Sequence, residues 1–225
     1  MTIQQLLLGT AADPSGIVTS GLVMELDTGN AASYPGSGTA WTDLSGNGNN
    51  GTLTNGPTYS AADGGQIVFD GVNDYVDSGN AASLQVSTYT LEIWFKATSA
   101  NSAYRGLLVK QLAYSLFLLN NTLGSYDWPS TVFLSTGINA GDGVWRQAVL
   151  TMTAGGSRTI YVNAASIISG TGSVTNQTVP VTIGGEPNAS QYSQSNIAIS
   201  RIYNRALSAA EITQNFNANR ARFGL

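Results

Sequence analysis

Short segments in which apolar and polar side chains alternate recur along nearly the whole chain, and this alternation constrains the fold more than any other feature. A period of two is typical of strands that bury one face. The clearest segments are residues 22–26, 66–70, 74–79, 89–97, 106–111, 114–119, 131–136, 145–153, 158–164, 165–170, 179–185 and 195–204. Because no helices are available to cover so many strands, we expect an all-β fold of two stacked antiparallel sheets.

The segment YTLEIWFKA at 89–97 indicates which face of a central strand is buried. Leu91, Ile93 and Phe95 share one face and are predicted to enter the core. Trp94 lies on the opposite, mostly polar face. A large aromatic ring there predicts that the second face of this strand is also partly covered.

One helix is predicted near the C-terminus, within RALSAAEITQNF. Ser208 and Glu211 have the spacing of a capping box, in which each side chain accepts a hydrogen bond from the other residue's backbone. We expect a short helix over roughly 209–217 that packs through Ile212 and Phe216.

Composition excludes several functional classes. The chain has no cysteine and no histidine, which excludes disulfides, thiolate or imidazole zinc sites and a Ser-His-Asp triad. The net charge is −4, and Lys96 and Lys110 are the only lysines. The sequence has no run of basic residues, so we do not expect it to bind nucleic acid. The N-terminus lacks the basic region of a signal peptide, and no segment is apolar enough to insert into a membrane, so we expect synthesis in the host cytoplasm without export.

The motifs between residues 21 and 217 follow one another in a distinctive order. They read GLVMELD, WTDLSGNGNNGTL with IVFDGVNDYVD, YTLEIWFKA, VWRQAVLTMTAGGSRTIYVNAASIISG, and TIGGEP with IAISRIYNRALSAAEI. In this order they resemble the laminin-G-like, or concanavalin A-like, jelly-roll domains. The resemblance implies a two-sheet antiparallel jelly-roll β-sandwich with one short C-terminal helix. Ala164 in YVNAAS departs from it, since the family prefers glycine there, and indicates an altered turn.

The resemblance also implies a biological setting, because such domains occur as bacteriophage virion proteins that act as decoration or fibre modules. It predicts a non-enzymatic protein at the virion surface, homo-oligomeric or bound to other capsid proteins. The alternative is a free carbohydrate-binding module that recognises host-surface glycan.

Two terminal segments flank the predicted domain at 21–217. Residues 1–20 carry the apolar cluster Ile3, Leu6, Leu7 and Leu8 and are predicted either to dock on neighbouring virion subunits or to form a disordered terminus. Residues 218–225 form a tail that is either frayed or a small docking segment.

Glycan-binding candidates come from aromatic residues in predicted loops. GSYDWPS is predicted to be a loop that presents Tyr126, Asp127 and Trp128, and Tyr192 is a further loop aromatic. Aromatic rings stack on sugar faces, and carboxylates and amides add directional hydrogen bonds. The alternative for Trp128 is that it packs against the fold.

The stretch WTDLSGNGNNGTL begins like a calcium-binding loop. Asp43, Ser45, Asn47 and Gly48 follow the first half of that pattern, but Thr54 occupies the position of the closing glutamate. A structured turn tied down by Asp43 is therefore the favoured interpretation.

A second possible calcium position is FDGVNDY. Related jelly rolls hold one calcium at a sheet edge, so the resemblance allows Asp70, Asn73 and Asp74 as ligands. The alternative is that these residues bind backbone amides in a turn. Apart from this calcium, no cofactor is expected.

Catalysis is not expected. Glucan-hydrolysing relatives of this fold use an E-x-D-x-x-E strand, and MELDTGN supplies Glu25 and Asp27 but has Asn30 at the third position. Retaining hydrolysis needs two carboxyl groups about 5 Å apart, one of them the acid. No catalytic residues are therefore assigned.

Overall fold

The structure, a computed structural model, describes residues 16–98, 104–175 and 177–225. The first nine strands in this part of the chain are β1 (Leu22–Asp27), β2 (Ala40–Trp41), β3 (Gly51–Thr54), β4 (Thr58–Ser60), β5 (Gln66–Asp70), β6 (Tyr75–Asp77), β7 (Tyr89–Ala97), β8 (Tyr104–Lys110) and β9 (Tyr114–Leu119). The others are β10 (Thr122–Asp127), β11 (Val132–Asn139), β12 (Arg146–Met152), β13 (Ser157–Val162), β14 (Ala165–Thr171), β15 (Val181–Ile183), β16 (Gly185–Glu186), β17 (Gln191–Tyr192) and β18 (Gln194–Tyr203). Helix α1 spans Ala209–Asn219.

The strands form two large antiparallel sheets and one small hairpin. Sheet A has the order β14-β13-β12-β7-β18-β5-β4, and β1 also pairs with β18. Sheet B has the order β11-β10-β9-β8-β15-β6-β3-β2, and β16 pairs with β17. The all-β, two-sheet antiparallel prediction with one short C-terminal helix is confirmed. The structure adds short strands such as β2, β3 and β4, whose sequences do not alternate clearly.

The core lies between the two sheets. Leu91, Ile93 and Phe95 of β7 are fully buried there, as the alternation predicts. Leu116 and Leu118 of β9 belong to the same apolar cluster from the facing sheet. Burying each such side chain contributes about 1.5–3 kcal/mol, so this layer dominates the stability of the fold.

Helix α1 covers the outer face of sheet A. Ser208 and Glu211 form the predicted capping box at its start. The ring of Trp94 stacks on Phe216 with centroids 5.7 Å apart and on Phe223 with centroids 4.6 Å apart. The prediction that the second face of β7 is covered is therefore confirmed. No helix in the described ranges is both long and apolar enough to cross a bilayer.

Beneath α1, the same face of sheet A carries a buried polar network. Arg201 pairs with Glu25 at 3.0 Å and with Glu92 at 3.3 Å. Asn215 of the helix donates to Glu92 Oε2 at 2.8 Å, and the indole of Trp94 donates to Glu92 Oε1 at 3.1 Å. Buried charges are tolerated only when paired and hydrogen-bonded, so this network fixes how the helix sits on the sheet.

Packed structure begins before the expected start of the domain. Ile17 and Val18, which the sequence places in the N-terminal arm, are buried, and the amide of Val18 donates to Asn215 Oδ1 at 2.8 Å. Ile17 and Val18 thus pack on the domain, and the boundary at residue 21 stays a prediction. The apolar cluster Ile3, Leu6, Leu7 and Leu8 lies outside the described residues.

The C-terminal tail is a docking segment that binds its own domain. The helix continues two residues past the expected end, to Asn219, and a 3-10 turn spans Arg220–Phe223. Arg222 pairs with Asp27 at 2.6 Å, and the ring of Phe223 lies 4.6 Å from that of Trp145. The tail is thus part of the cover over sheet A.

The turn between β13 and β14 shows what the departure from the family pattern means. Asn163 and Ala164 have φ values of 49° and 64°. Two successive left-handed residues make the tight reversal of a two-residue hairpin. Alanine fits this conformation less well than glycine, so Ala164 adds strain to the turn.

We expect Phe223→Ala to lower the free energy of unfolding by about 3 kcal/mol, because it empties a site between two indoles. Phe223 is 7% exposed. Urea unfolding followed by tryptophan fluorescence measures the loss. The control is Leu225→Ala, whose side chain is 36% exposed and should matter little. Equal effects of the two variants would contradict docking of the tail.

Candidate functional site

A cluster of aromatic side chains lies on the outer face of sheet B. Tyr104, Phe117, Tyr126 and Trp128 come from β8, β9, β10 and the residue after β10. The ring centroids of Tyr126 and Trp128 are 5.4 Å apart, those of Tyr104 and Tyr126 are 5.8 Å apart, and those of Phe117 and Trp128 are 6.2 Å apart. The rings meet edge to face. Tyr104, Tyr126 and Trp128 are half-buried. This surface offers ring faces to a ligand.

Local sequence explains how β10 fits into this cluster. Gly124 stands in the middle of the strand, and a Cβ there would clash with the ring of Phe133 on β11. A glycine inside a strand often marks such a close approach.

The β16–β17 hairpin folds back over sheet B and forms a wall beside the rings. A Cβ at Gly106 of β8 would lie 2.8 Å from the carbonyl carbon of Gly185, so only glycine lets the hairpin lie this close. The hairpin and the turn within it bring Glu186, Ala189 and Gln191 next to the rings, and Gln111 completes the wall. The resulting cavity of about 220 Å³, here called the aromatic groove, is lined by Tyr104, Gln111, Phe117, Tyr126, Trp128, Glu186, Ala189 and Gln191.

Among the described residues that line the aromatic groove, Glu186 is the one that carries a charge. Its side chain accepts hydrogen bonds from the backbone N–H groups of Asn188 and Ala189, but its Oε1 has no partner among the described residues. The residue is only 3% exposed. The pKa of this carboxyl lies above its ordinary value of 4.5, because the effect of burial outweighs that of the two backbone hydrogen bonds, which lower the pKa. An unsatisfied buried oxygen is costly, which indicates that a donor from outside the chain belongs there.

The structure brings two of the four predicted glycan-binding residues together. Tyr126 and Trp128 line the aromatic groove, but the expected loop at 124–130 is wrong for its first half, because 124–127 belong to β10. Asp127 follows Tyr126 on the strand and therefore points to the opposite face. Its carboxylate accepts hydrogen bonds from Ser130 and Ser173 there, with the Ser173 amide 2.9 Å away.

Tyr192 also lies away from the groove. Its ring packs on Tyr75 of β6 with centroids 6.5 Å apart, and β6 is separated from β8 by β15.

Several groove residues were missed because distant segments supply them. Phe117 carried a readable signal, since three apolar residues in succession, Leu116 to Leu118, indicate a strand that is apolar on both faces. Glu186 and Gln191 carried no such signal. Their role depends on the hairpin folding over β8.

The loop after β2 is held by Asp43 through hydrogen bonds to the chain itself. Oδ1 of Asp43 accepts from the amides of Glu25 and Ser45 at 2.8 and 2.9 Å. Oδ2 accepts from the hydroxyl of Ser45 at 2.7 Å and from the amide of Asn49 at 2.9 Å. With both oxygens engaged twice, this carboxylate serves the turn, as the favoured interpretation expects.

The turn after β5 is built in a similar way. Asp74 Oδ2 accepts from the amide of Asp70 at 3.1 Å, and Asp70 Oδ1 accepts from the amide of Val72 at 2.8 Å. Asn73 contributes its carbonyl to Asn55. Within ranges 16–98, 104–175 and 177–225, no group of three or more Asp, Glu, His or Cys side chains is placed to hold a metal ion. Calcium binding stays a prediction, and the described residues contain no cluster of carboxylates that supports it.

The residues compared with a glucanase motif lie on sheet A, away from the groove. Glu25 pairs with Arg201, and Asp27 pairs with Arg222. Asn30 accepts a hydrogen bond from the amide of Ala32 at 2.9 Å. The pKa of Glu25 is raised, because the effect of burial outweighs that of the neighbouring Arg201, which lowers the pKa. These carboxylates are engaged in holding helix α1 and the tail.

Residues 70–213 match the Laminin_G_3 family of the concanavalin A-like lectin/glucanases superfamily. The chain belongs to this superfamily. No curated protein matches the sequence.

Solved structures share the superfamily fold at low sequence identity. The binding domain of Paraclostridial Mosquitocidal Protein 1 superimposes with a TM-score of 0.71 at 18% identity, covering 88% of this chain and 52% of that one. The binding domain of botulinum neurotoxin serotype D gives 0.67 at 14%, covering 89% and 52%. Trypanosoma rangeli sialidase in complex with the inhibitor DANA gives 0.68 at 21%, covering 89% and 33%. The chain thus spans about half of the toxin domains and a third of the sialidase, and identities this low show the fold alone.

We expect Asp43→Ala to lower the free energy of unfolding by about 3 kcal/mol, because hydrogen bonds to a charged group are lost in a buried turn. The exposed Asp70→Ala is the matched control and should cost about 1 kcal/mol or less. Thermal melting of the unaltered protein in calcium and in a chelator should give equal midpoints. A calcium-dependent rise that Asp43→Ala removes would contradict the turn assignment.

Proposed function

We propose that the protein is a non-enzymatic recognition module that binds glycan in the aromatic groove of sheet B. The observation that carries this proposal is the set of half-buried Tyr104, Tyr126 and Trp128 rings beside a wall of polar side chains. Three other cavities among the described residues have no aromatic residue in their lining.

The chemistry of the groove suits a sugar. The C–H faces of a pyranose ring are apolar and stack on aromatic rings, while its hydroxyls need directional partners. Gln111, Glu186 and Gln191 supply amide and carboxylate groups at the edge of the rings. Aromatic side chains with few rotatable bonds also lose little conformational entropy on binding, which favours a preformed site.

The groove lacks the carboxylate pair of a glycosidase. Retaining enzymes place two carboxyl groups about 5 Å apart and inverting enzymes place them somewhat farther. Glu186 is the only acidic residue among the described groove residues. The fold is shared with toxin binding domains and with a third of a sialidase. For this chain the site chemistry favours binding.

The virion surface remains our proposed setting for this module, with other virion or capsid proteins as partners and the chain homo-oligomeric or capsid-bound. It is supported by the order of family motifs and by the apolar cluster of the N-terminal arm. Mass spectrometry of purified particles from cells that express the protein tests it. Absence of the protein from the particles would remove this setting and would leave glycan binding by the groove untouched.

We expect Trp128→Ala to weaken glycan binding by at least about tenfold, which corresponds to about 1.4 kcal/mol, because a stacking face is lost. A glycan array identifies a ligand, and calorimetry then compares the variant with the unaltered protein. Tyr161→Ala, an aromatic truncation on sheet A, is the matched control and should bind normally.

Thermal melting of each variant checks that folding is retained. Equal affinity of Trp128→Ala and the unaltered protein for the same glycan would show that the aromatic groove is not the binding site.

A further inference from the structure

Charge in the aromatic groove is one-sided. Of the described residues in its lining, Glu186 supplies a carboxyl and none is a lysine or arginine. The basic residues of the neighbouring strand β8 are engaged elsewhere: Lys110 contacts Asn80 and the carbonyl of Val179, and Arg105 donates to the carbonyl of Thr98 at 2.9 Å. A ligand in the groove therefore meets one carboxyl and no positive charge from the described residues.

The free oxygen of Glu186 defines what such a ligand must present. Oε1 is buried and lacks a partner among the described residues, and Glu186 lines the groove from the β16–β17 hairpin. An ionised carboxylate can only accept hydrogen bonds, so its complement is a hydroxyl or an ammonium group.

Resting on the proposed function, we propose that the groove selects neutral or amino sugars through a donor that reaches Glu186 Oε1, and that it rejects acidic sugars. A carboxylate on the ligand would bring two like charges together in a poorly hydrated site, which is strongly unfavourable. An amino sugar gains the opposite charge and a favourable position near the aromatic rings.

Glu186→Gln provides a sharp test because it changes charge and donor character with little change in shape. The new side chain replaces the carboxylate with a neutral amide that has one oxygen acceptor and one NH₂ donor. Asp142→Asn, on the exposed loop before β12, removes the same unit of charge and is the matched control.

The probe is a glycan array that pairs hexose, hexosamine and uronic acid oligomers of the same linkage and includes sialylated glycans. We expect the unaltered protein to bind hexose or hexosamine glycans at least about tenfold more tightly than their acidic counterparts. Glu186→Gln should weaken binding of the preferred glycan and improve binding of its acidic counterpart. Asp142→Asn should leave the ratio unchanged.

The outcomes separate the two proposals. Preferred binding of uronic or sialylated glycans that Trp128→Ala abolishes would overturn this selectivity and leave glycan binding in the groove standing. Binding of no glycan would overturn both. If Glu186→Gln fails to fold, the ratio of affinities measured with the unaltered protein decides, and a ratio near one overturns the selectivity.

Discussion

The stacking of two antiparallel sheets through their inward faces is the constraint on which the rest of the molecule depends. Alternation along each strand sends every second side chain into this shared core, so the remaining side chains face outward on two separate surfaces. The core therefore fixes the position of both outer faces. The side chains on one outer face maintain the fold, and those on the other outer face are available for binding.

The two outer faces are treated in opposite ways. On sheet A, helix α1 and the C-terminal tail cover Trp94, and the ion pairs of Arg201 lie beneath them. On sheet B, the β16–β17 hairpin covers only part of the surface and leaves Trp128 half-buried beside it. Large aromatic residues on both faces thus serve different purposes. Those on sheet A pack against the helix and the tail, whereas those on sheet B are accessible to a ligand.

Much of this arrangement could be predicted from the sequence, because it follows from local patterns. The buried face of β7, the covering of Trp94 and the capping box at Ser208 are each encoded within about ten residues. The aromatic groove depends instead on long-range contacts. Gly106 in the sequence does not indicate that the β16–β17 hairpin lies against β8, although this close approach requires glycine. Glu186 lies beside the aromatic rings only because of that contact. Asp127 was misplaced because GSYDWPS, with its glycine and proline, resembles a loop although its first half is a strand.

The four tryptophans allow the central claim, that recognition occurs on the outer face of sheet B, to be tested directly. Trp41, Trp94 and Trp145 are buried, and only Trp128 borders the groove. Titration of a bound glycan into ¹⁵N-labelled protein, followed by NMR of the indole N–H groups, reports on all four at once. The account predicts a shift of the Trp128 resonance while the other three stay in place. A shift confined to Trp145 or Trp94, with Trp128 unmoved, would place binding on sheet A and contradict it.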